Sequence, residues 1–324
     1  MADAIRAGER DGERGVNGGA VPRLRPGFLG WAHPFIGVAA AAAVAMVLPV
    51  LLMMGSAAGS GAGSGALQTP PWTTLAQFSL LAVIVALVLF GARRKAARRR
   101  AETVPTATTA TPVSPTASSS AADPTRPAPM LKSLLVVGVI SIVFAIAVNL
   151  LLDTPGIESP KAIVNQLGLG KAAWSDLLII AGVAMAAPIG EELALRGLVF
   201  RGIFDAVGRK RGHGAGAVPY LGAFLAAAIP SAVLFAVLHL NPATGQNVFY
   251  LCLGLLACVA YWWTGALTSA VWVHALTNTI GLAFALFAAT NVGTWWHAVA
   301  LVAAPLIAVA IMAPVGRLAG VPRA

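Results

Sequence analysis

Charged side chains are scarce in this sequence of 324 residues. Only 10% of the residues are Asp, Glu, Lys or Arg, whereas 58% are hydrophobic and the mean hydropathy is +0.80. Because a soluble domain carries about 25% charged residues, this composition excludes an ordinary soluble globular protein. It predicts an all-α membrane protein, a polytopic helical bundle whose apolar runs cross the lipid bilayer.

Cysteine is also rare, with only Cys252 and Cys258 in the chain. The two lie in one apolar run and, given their spacing, on different faces of a helix. A disulfide framework and a cysteine-based metal site are thereby excluded. Both residues are predicted to pack in the apolar interior.

Acidic residues number only 12 against 22 basic ones, which gives a net charge of +10. The outer loops hold only Lys161 and Lys171 if the N-terminus is cytoplasmic. This distribution follows the positive-inside rule and predicts cytoplasmic N- and C-termini in the cell membrane, and it does not indicate nucleic-acid binding. Eighteen of the 22 basic residues then fall in four cytoplasmic segments, which are 1–33, 93–133, 208–218 and 316–324.

The apolar runs predict about eight transmembrane helices, arranged in four parts of the chain. The parts are a cytoplasmic N-terminal tail (1–33), a two-helix N-terminal extension (34–92), a basic and then disordered cytoplasmic linker (93–133) and a six-helix region (134–324). The predicted helices are 34–54, 75–92, 134–152, 176–207, 219–240, 243–263, 267–287 and 295–315.

Two adjacent carboxylates, Glu191 and Glu192, interrupt the long apolar run of the fourth predicted helix. An ionised group in hydrocarbon costs several kcal/mol unless it is paired, so intramembrane carboxylates indicate function. Glu192 and Arg196 are four residues apart and share one helix face, where they can form an ion pair. Glu191 is rotated by about 100° and has no such partner. A buried carboxylate without a cation beside it suits a general base.

Two later helices contain the other polar side chains suited to acid–base chemistry. His239 ends the fifth predicted helix, and His274 and Asn278 share one face of the seventh. Helical rise places Glu191 about 8 Å and His274 about 13 Å from the inner membrane edge, so these two can meet. The same count places His239 about 30 Å from that edge, unless tilt, a kink at Pro230 or an interfacial helix start brings it back.

Three motifs resemble those of the CAAX protease and bacteriocin-processing (CPBP) family of intramembrane proteases. The resemblance covers about residues 176–285 and implies endopeptidase activity. Asn241-Pro242 after His239 and Thr264-Gly265 before the seventh predicted helix are also similar to the family. In this sequence the motifs are Glu191-Glu192-x-x-x-Arg196, Phe235-x-x-x-His239 and His274-x-x-x-Asn278.

The resemblance implies distinct roles for these residues. Glu191 would activate the attacking water with the help of His239. His274 and Asn278 would stabilise the oxyanion of the tetrahedral intermediate, as prepositioned donors do in other hydrolases. The neighbouring ion pair would support the architecture.

Zinc offers another way to activate water, since the family has also been described as metalloproteases. Glu191, His239 and His274 are residue types that bind zinc. However, the His-Glu-x-x-His motif is absent, and Asn278 is a poor zinc ligand. We therefore expect a glutamate mechanism without a cofactor, with a zinc metalloprotease as the alternative.

Two other classes of function remain open. A non-catalytic membrane scaffold or bacteriocin-immunity-type protein would keep the fold without the chemistry, but all four catalytic residue types are present. A small-solute transporter would use the same polar cavity, but matched interrupted helices in two halves of the chain are not evident. The expected partners are a membrane protein or peptide substrate and the lipid bilayer.

Overall fold

The computed structural model describes residues 29–44, 70–103, 129–150, 159–210, 220–239 and 244–318. Over these residues the chain is helical with short connections, and no β-strand occurs among them. Some predictions fall outside the described residues, namely most of the N-terminal tail, the central part of the linker and the turn at Asn241-Pro242.

Nine helices are formed by the described residues. The helix α5 is continuous but includes two π-helical segments, Gly182–Ala186 and Leu193–Phe200, and α8 ends in a third, Phe284–Ala289. In chain order the helices are α1 (Ala32–Ala42), α2 (Thr73–Thr103), α3 (Pro129–Leu150), α4 (Pro160–Leu167), α5 (173–210), α6 (Leu221–Leu238), α7 (Thr244–Thr264), α8 (267–289) and α9 (Trp295–Leu318).

The predicted all-α membrane bundle is confirmed. Within the described ranges, six helices are long and apolar enough to cross a membrane: α2, α5, α6, α7, α8 and α9. Two shorter apolar helices, Ala32–Ala42 and Leu134–Ala147, overlap the first and third predicted spans. Each of the eight predicted helices thus corresponds to one apolar helix of the structure.

The direction of α2 bears on the number of crossings. Thr74 packs against Gly182 and Leu89 against Gly197, so α2 runs parallel to α5. A chain that crosses a membrane twice in the same direction must return between those crossings. In the described part of the chain, α3 is the apolar helix that lies between them and can provide the return.

Glycines let the two N-terminal helices pack closely against α5. A Cβ atom at Gly202 would lie 2.6 Å from Cδ of Pro34, and one at Gly190 would lie 2.7 Å from the carbonyl oxygen of Phe78. Only glycine permits such close approach of two backbones. The predicted extension therefore shares the main apolar core with α5, and α2 contributes Leu81, Val85 and Leu89 to it.

Two helical segments lie where loop or linker was predicted. The helix α2 continues through the basic residues to Thr103, because Arg, Lys and Ala all favour helix. The interval between the third and fourth predicted helices contains α4. Its start has Ser159 accepting from the N–H of Ala162, with Pro160 in the first turn, and its end has Gly168 in the left-handed conformation.

Polar networks hold both ends of α5. Near its start, the buried carboxylate of Asp176 accepts hydrogen bonds from the N–H of Gly170 and from Nε2 of His297, each at 3.0 Å. Near its end, Asp205 pairs with Nε of Arg201 at 2.7 Å and accepts from the N–H of Leu29 at 3.0 Å. Leu29, predicted as part of a cytoplasmic tail, is therefore buried against α5.

Candidate active site

The two adjacent carboxylates lie on a short α-helical stretch, Ala187–Glu192, between the two π-helical segments of α5. Oε1 of the fully buried Glu192 lies 2.9 Å from Nη1 of Arg196, so the ion pair predicted from their spacing is formed. Glu191 lines a cavity of about 460 Å³. Successive positions on one helix thus give the two acids different surroundings.

The buried ion pair also reaches two other helices. Nη2 of Arg196 donates to the carbonyl of Gly254 on α7 at 2.8 Å, and Oε1 of Glu192 accepts from Nδ1 of His274 on α8 at 3.0 Å. Sequence spacing indicated the pair but not these contacts, because spacing within one helix does not determine what approaches from another. Glu192 consequently orients the imidazole of His274.

Glu191 faces both histidines. Its Oε2 lies 4.0 Å from Nε2 of His239 and 4.0 Å from Nε2 of His274. The same oxygen is buried and has no hydrogen-bond partner among the described residues. The side chain of Glu191 as a whole is 16% exposed, so the carboxylate remains accessible from the cavity.

His239 stands at the end of α6 and is held on two sides. Its Nδ1–H donates to the carbonyl of Phe235 at 2.7 Å, and its ring stacks on Tyr250, with centroids 3.9 Å apart and planes inclined by 24°. Since Nδ1 is the donor, Nε2 of the neutral ring has the lone pair and faces Glu191.

The structure answers the question of depth that the helical count leaves open for His239, since its Nε2 lies 4.0 Å from Oε2 of Glu191. The count alone, which takes the start of α6 as the membrane edge, places the two residues too far apart. Ser231 in α6 donates its hydroxyl to the carbonyl of Leu195 at 3.1 Å. Because the helices are antiparallel, the two turns beyond Ser231 bring His239 level with residues 187–191.

Asn278 is fixed by a carbonyl that the π-helical segment releases. Its Nδ2 donates to the carbonyl of Val183 at 2.8 Å. That carbonyl lacks its usual helical partners, because the N–H of Ala187 bonds to Gly182 and Pro188 has no N–H. An amide nitrogen has two hydrogens, so Asn278 retains a second N–H at the cavity that it lines.

The N-terminal helices form part of the cavity wall. Thr74, Gln77 and Phe78 of α2 and Ala41 of α1 line it. Nε2 of Gln77 donates to the carbonyl of Val44 at 2.9 Å and so ties α2 to α1. The sequence motifs did not single out these residues. The signal for Gln77 is that it is the one amide side chain in an otherwise apolar predicted helix.

The potential zinc ligands around Glu191 do not fit a preformed tetrahedral site. With bonds of about 2.0–2.1 Å, two ligands of one zinc ion lie about 3.4 Å apart. Both Nε2 atoms lie 4.0 Å from Oε2 of Glu191, and Nδ1 of His274 is occupied by Glu192. Within the described part of the chain, no three His, Cys, Asp or Glu side chains are grouped so that they could hold a metal ion.

The structure brings all six predicted site residues together. Glu191, His239, His274 and Asn278 line one cavity. Glu192 and Arg196 lie behind it and are joined to it through Nδ1 of His274.

Comparison with curated proteins and with solved structures gave no match. A family model described as "Type II CAAX prenyl endopeptidase Rce1-like" matches residues 173–280. The matched segment starts with α5, ends within α8 and includes all six site residues. The match agrees with the resemblance drawn from the three motifs and confirms it for residues 173–280, which are similar to the CAAX endopeptidases.

Proposed function

We propose that the protein is an intramembrane endopeptidase that hydrolyses a peptide bond of a membrane-associated protein or peptide, with Glu191 as the general base. The observation that supports this most directly is the environment of Oε2 of Glu191. This oxygen is buried, has no hydrogen-bond partner among the described residues and faces two imidazole nitrogens at 4.0 Å. Such a carboxylate destabilises a membrane bundle, and hydrolysis accounts for its presence.

Glu191 and His239 together activate the attacking water. Oε2 of Glu191 and Nε2 of His239 lie 4.0 Å apart, a distance that one water molecule can bridge. This water donates one hydrogen to Glu191 and the other to the lone pair on Nε2 of His239. Glu191 takes a proton as the water oxygen attacks the carbonyl carbon of the substrate. The C–N bond then breaks, and the proton passes from Glu191 to the leaving amine nitrogen.

His274 acts in a different protonation state from His239. Its Nδ1–H donates to Glu192, so its Nε2 donates to an oxyanion only when the ring has both protons. The buried charges then balance, with Arg196 paired to Glu192 and the imidazolium facing Glu191. Pairing is what makes buried charges tolerable in a low-dielectric interior.

Asn278 supplies a second donor to the oxyanion. One N–H is held by Val183, which fixes the plane of the amide, and the other is left for the substrate oxygen. Prepositioned donors stabilise the charge that develops in the transition state without reorganising at the moment of reaction. Base and oxyanion donors all come from the chain, so the mechanism that we propose uses no metal ion.

The decisive experiment replaces Glu191 in the full chain reconstituted in lipid nanodiscs. The probe is a library of internally quenched fluorescent peptides with an apolar anchor, and mass spectrometry identifies the cleaved bonds. Glu191→Gln should reduce cleavage by about 10²–10⁴-fold, because general base catalysis contributes about that much. The matched control is Glu102→Gln, the same change at an exposed position of α2, and it should cleave normally.

The result also separates an enzyme from a scaffold. Cleavage by Glu191→Gln at the wild-type rate contradicts the assignment of the base. A wild-type protein that cleaves no peptide, together with a host phenotype that survives Glu191→Gln, supports the non-catalytic scaffold instead.

A further inference from the structure

We infer that Tyr250 is a positioning residue of this site, holding the imidazole of His239 with Nε2 directed at Glu191. The inference rests on the proposed function. Tyr250 belongs to α7 and lines the same cavity as the two residues it would align. None of the three sequence motifs includes it.

His239 needs support from outside its own helix. It is the C-terminal cap of α6, one position after the last helical residue, and its side chain is 24% exposed. The hydrogen bond from Nδ1 to the carbonyl of Phe235 fixes one atom of the ring. The ring can still turn about that bond, and such a turn moves Nε2 away from Glu191.

Stacking on Tyr250 prevents this turn. The two rings lie 3.9 Å apart with their planes inclined by only 24°, so one face of the imidazole is covered. The ring of Phe235 packs against the imidazole as well, with a centroid distance of 4.6 Å and an inclination of 52°. Two aromatic contacts and one hydrogen bond together leave a single orientation of His239.

Tyr250 gives a cleaner test of this role than Phe235. Phe235 also makes an edge contact with His274 at 5.2 Å, so changing it would disturb both imidazoles. Tyr250→Leu removes the flat ring but keeps an apolar side chain. Phe249→Leu is the matched control, because the adjacent ring of Phe249 stacks on Phe144 at 5.7 Å and does not line the cavity.

The kinetic test uses the peptide that wild-type protein in nanodiscs cleaves best. A misplaced catalytic group costs up to about 10²-fold in rate, so Tyr250→Leu should lower kcat about 10–10²-fold with KM changed less than about twofold. Tyr250→Phe and Phe249→Leu should stay near the wild-type kcat. If Tyr250 acts through His239, then His239→Ala/Tyr250→Leu should be no slower than His239→Ala alone. Independent, additive losses would overturn the inference.

A second readout does not depend on activity. The chain has five histidines, so their ring signals can be followed by NMR after selective labelling and assigned with His239→Ala. Stacking on Tyr250 should add to the shift that Phe235 causes in the Hε1 signal of His239. This added part should be lost in Tyr250→Leu and persist in Tyr250→Phe. A signal in Tyr250→Leu that is unchanged from the wild type, or a changed signal without any fall in kcat, would also overturn the inference. If the wild-type protein shows the ring-induced shift of His239 but cleaves no peptide, the proposed function is contradicted, whereas the stacking of Tyr250 on His239 is not.

Discussion

Glu191 and Glu192 are neighbours in sequence with different partners. Glu192 accepts from both Arg196 and His274, and so belongs to a buried network that joins α5 to α8. Glu191 has two imidazole nitrogens at 4.0 Å and no hydrogen bond from a described residue to its buried oxygen. The rotation of about 100° between successive helical residues is enough to give the two carboxylates different partners, which is why we propose different roles for them.

Asn278 discriminates between the glutamate mechanism and a zinc metalloprotease. As an oxyanion donor it should matter strongly, and Asn278→Ala should lower kcat by about 10²–10³-fold. Wild-type activity should survive exhaustive chelation, because in the mechanism that we propose Glu191 and His239 activate water without a metal. The measurements are peptide cleavage before and after chelation and metal content by mass spectrometry.

The control for Asn278→Ala is Thr277→Ala. Thr277 is the adjacent buried polar residue, but its hydroxyl bonds to the carbonyl of Val273 in its own helix and does not line the cavity. Thr277→Ala should therefore keep a normal kcat. Near-stoichiometric zinc together with an almost normal Asn278→Ala enzyme would replace the glutamate mechanism with the metalloprotease.

For single residues, the sequence predicted the side-chain contacts within one helix and missed the contacts between helices. The pairing of Glu192 with Arg196 follows from a spacing of four residues. The bond between Glu192 and His274 spans 82 positions, and the stacking of Tyr250 on His239 depends on how α7 packs against α6. No periodicity within one helix encodes these contacts.

Helix α5 is the element on which the site depends, and α2 is packed directly against it. The closest approach is at Gly190, beside the proposed general base Glu191, where an added Cβ would meet the carbonyl oxygen of Phe78 at 2.7 Å. This backbone atom cannot move aside as a flexible side chain can. The position therefore couples the N-terminal helices, which lie outside the matched family segment, to the geometry of Glu191.

We predict that Gly190→Ala destabilises the protein by about 1–3 kcal/mol, the usual cost of overpacking. It should also lower kcat, because separating α2 from α5 widens the cavity at Glu191. Gly281→Ala is the matched control, since nothing lies within 4 Å of an added Cβ there. Losing a helical glycine at such a position should be neutral or stabilising by up to about 1 kcal/mol. Thermal unfolding in detergent compares the two, and equal unfolding midpoints would contradict the close α2–α5 contact.

The helices themselves were largely predictable because long apolar runs leave little choice of structure in a membrane. The two helical segments that were not predicted have local signals other than an apolar run. The extension of α2 to Thr103 lies in a polar stretch of good helix formers, and α4 is marked by Ser159-Pro160 before it and Gly168 after it. The π-helical segments had no such signal, and they decide which carbonyl is free for Asn278.

In the whole molecule, charge distribution and helix direction agree on one topology. Eighteen of 22 basic residues fall in the predicted cytoplasmic segments, which predicts cytoplasmic termini. The parallel packing of α2 and α5 requires a crossing between them. Helix α1 packs antiparallel to α5, with Pro34 against Gly202 and Gly37 against Leu198. The start of α1 and the end of α2 therefore lie on the same side of the membrane, at the C-terminal end of α5.

We therefore predict eight crossings in the cell membrane, which single cysteines can test. Each variant carries one thiol in a background with both native cysteines replaced. Asn17→Cys lies before α1 and Ser64→Cys between α1 and α2. Ser119→Cys lies in the linker and Lys171→Cys between α3 and α5. A membrane-impermeant maleimide applied to intact cells should label the cysteines at 64 and 171. Those at 17 and 119 should react only after permeabilisation, because they lie in basic cytoplasmic segments. Labelling of 119 and 171 from the same side would show that α3 does not cross. Equal labelling of 17 and 64 would show the same for α1. Only the two outcomes together would reduce the bundle to the six described helices that meet the length and hydropathy of a span.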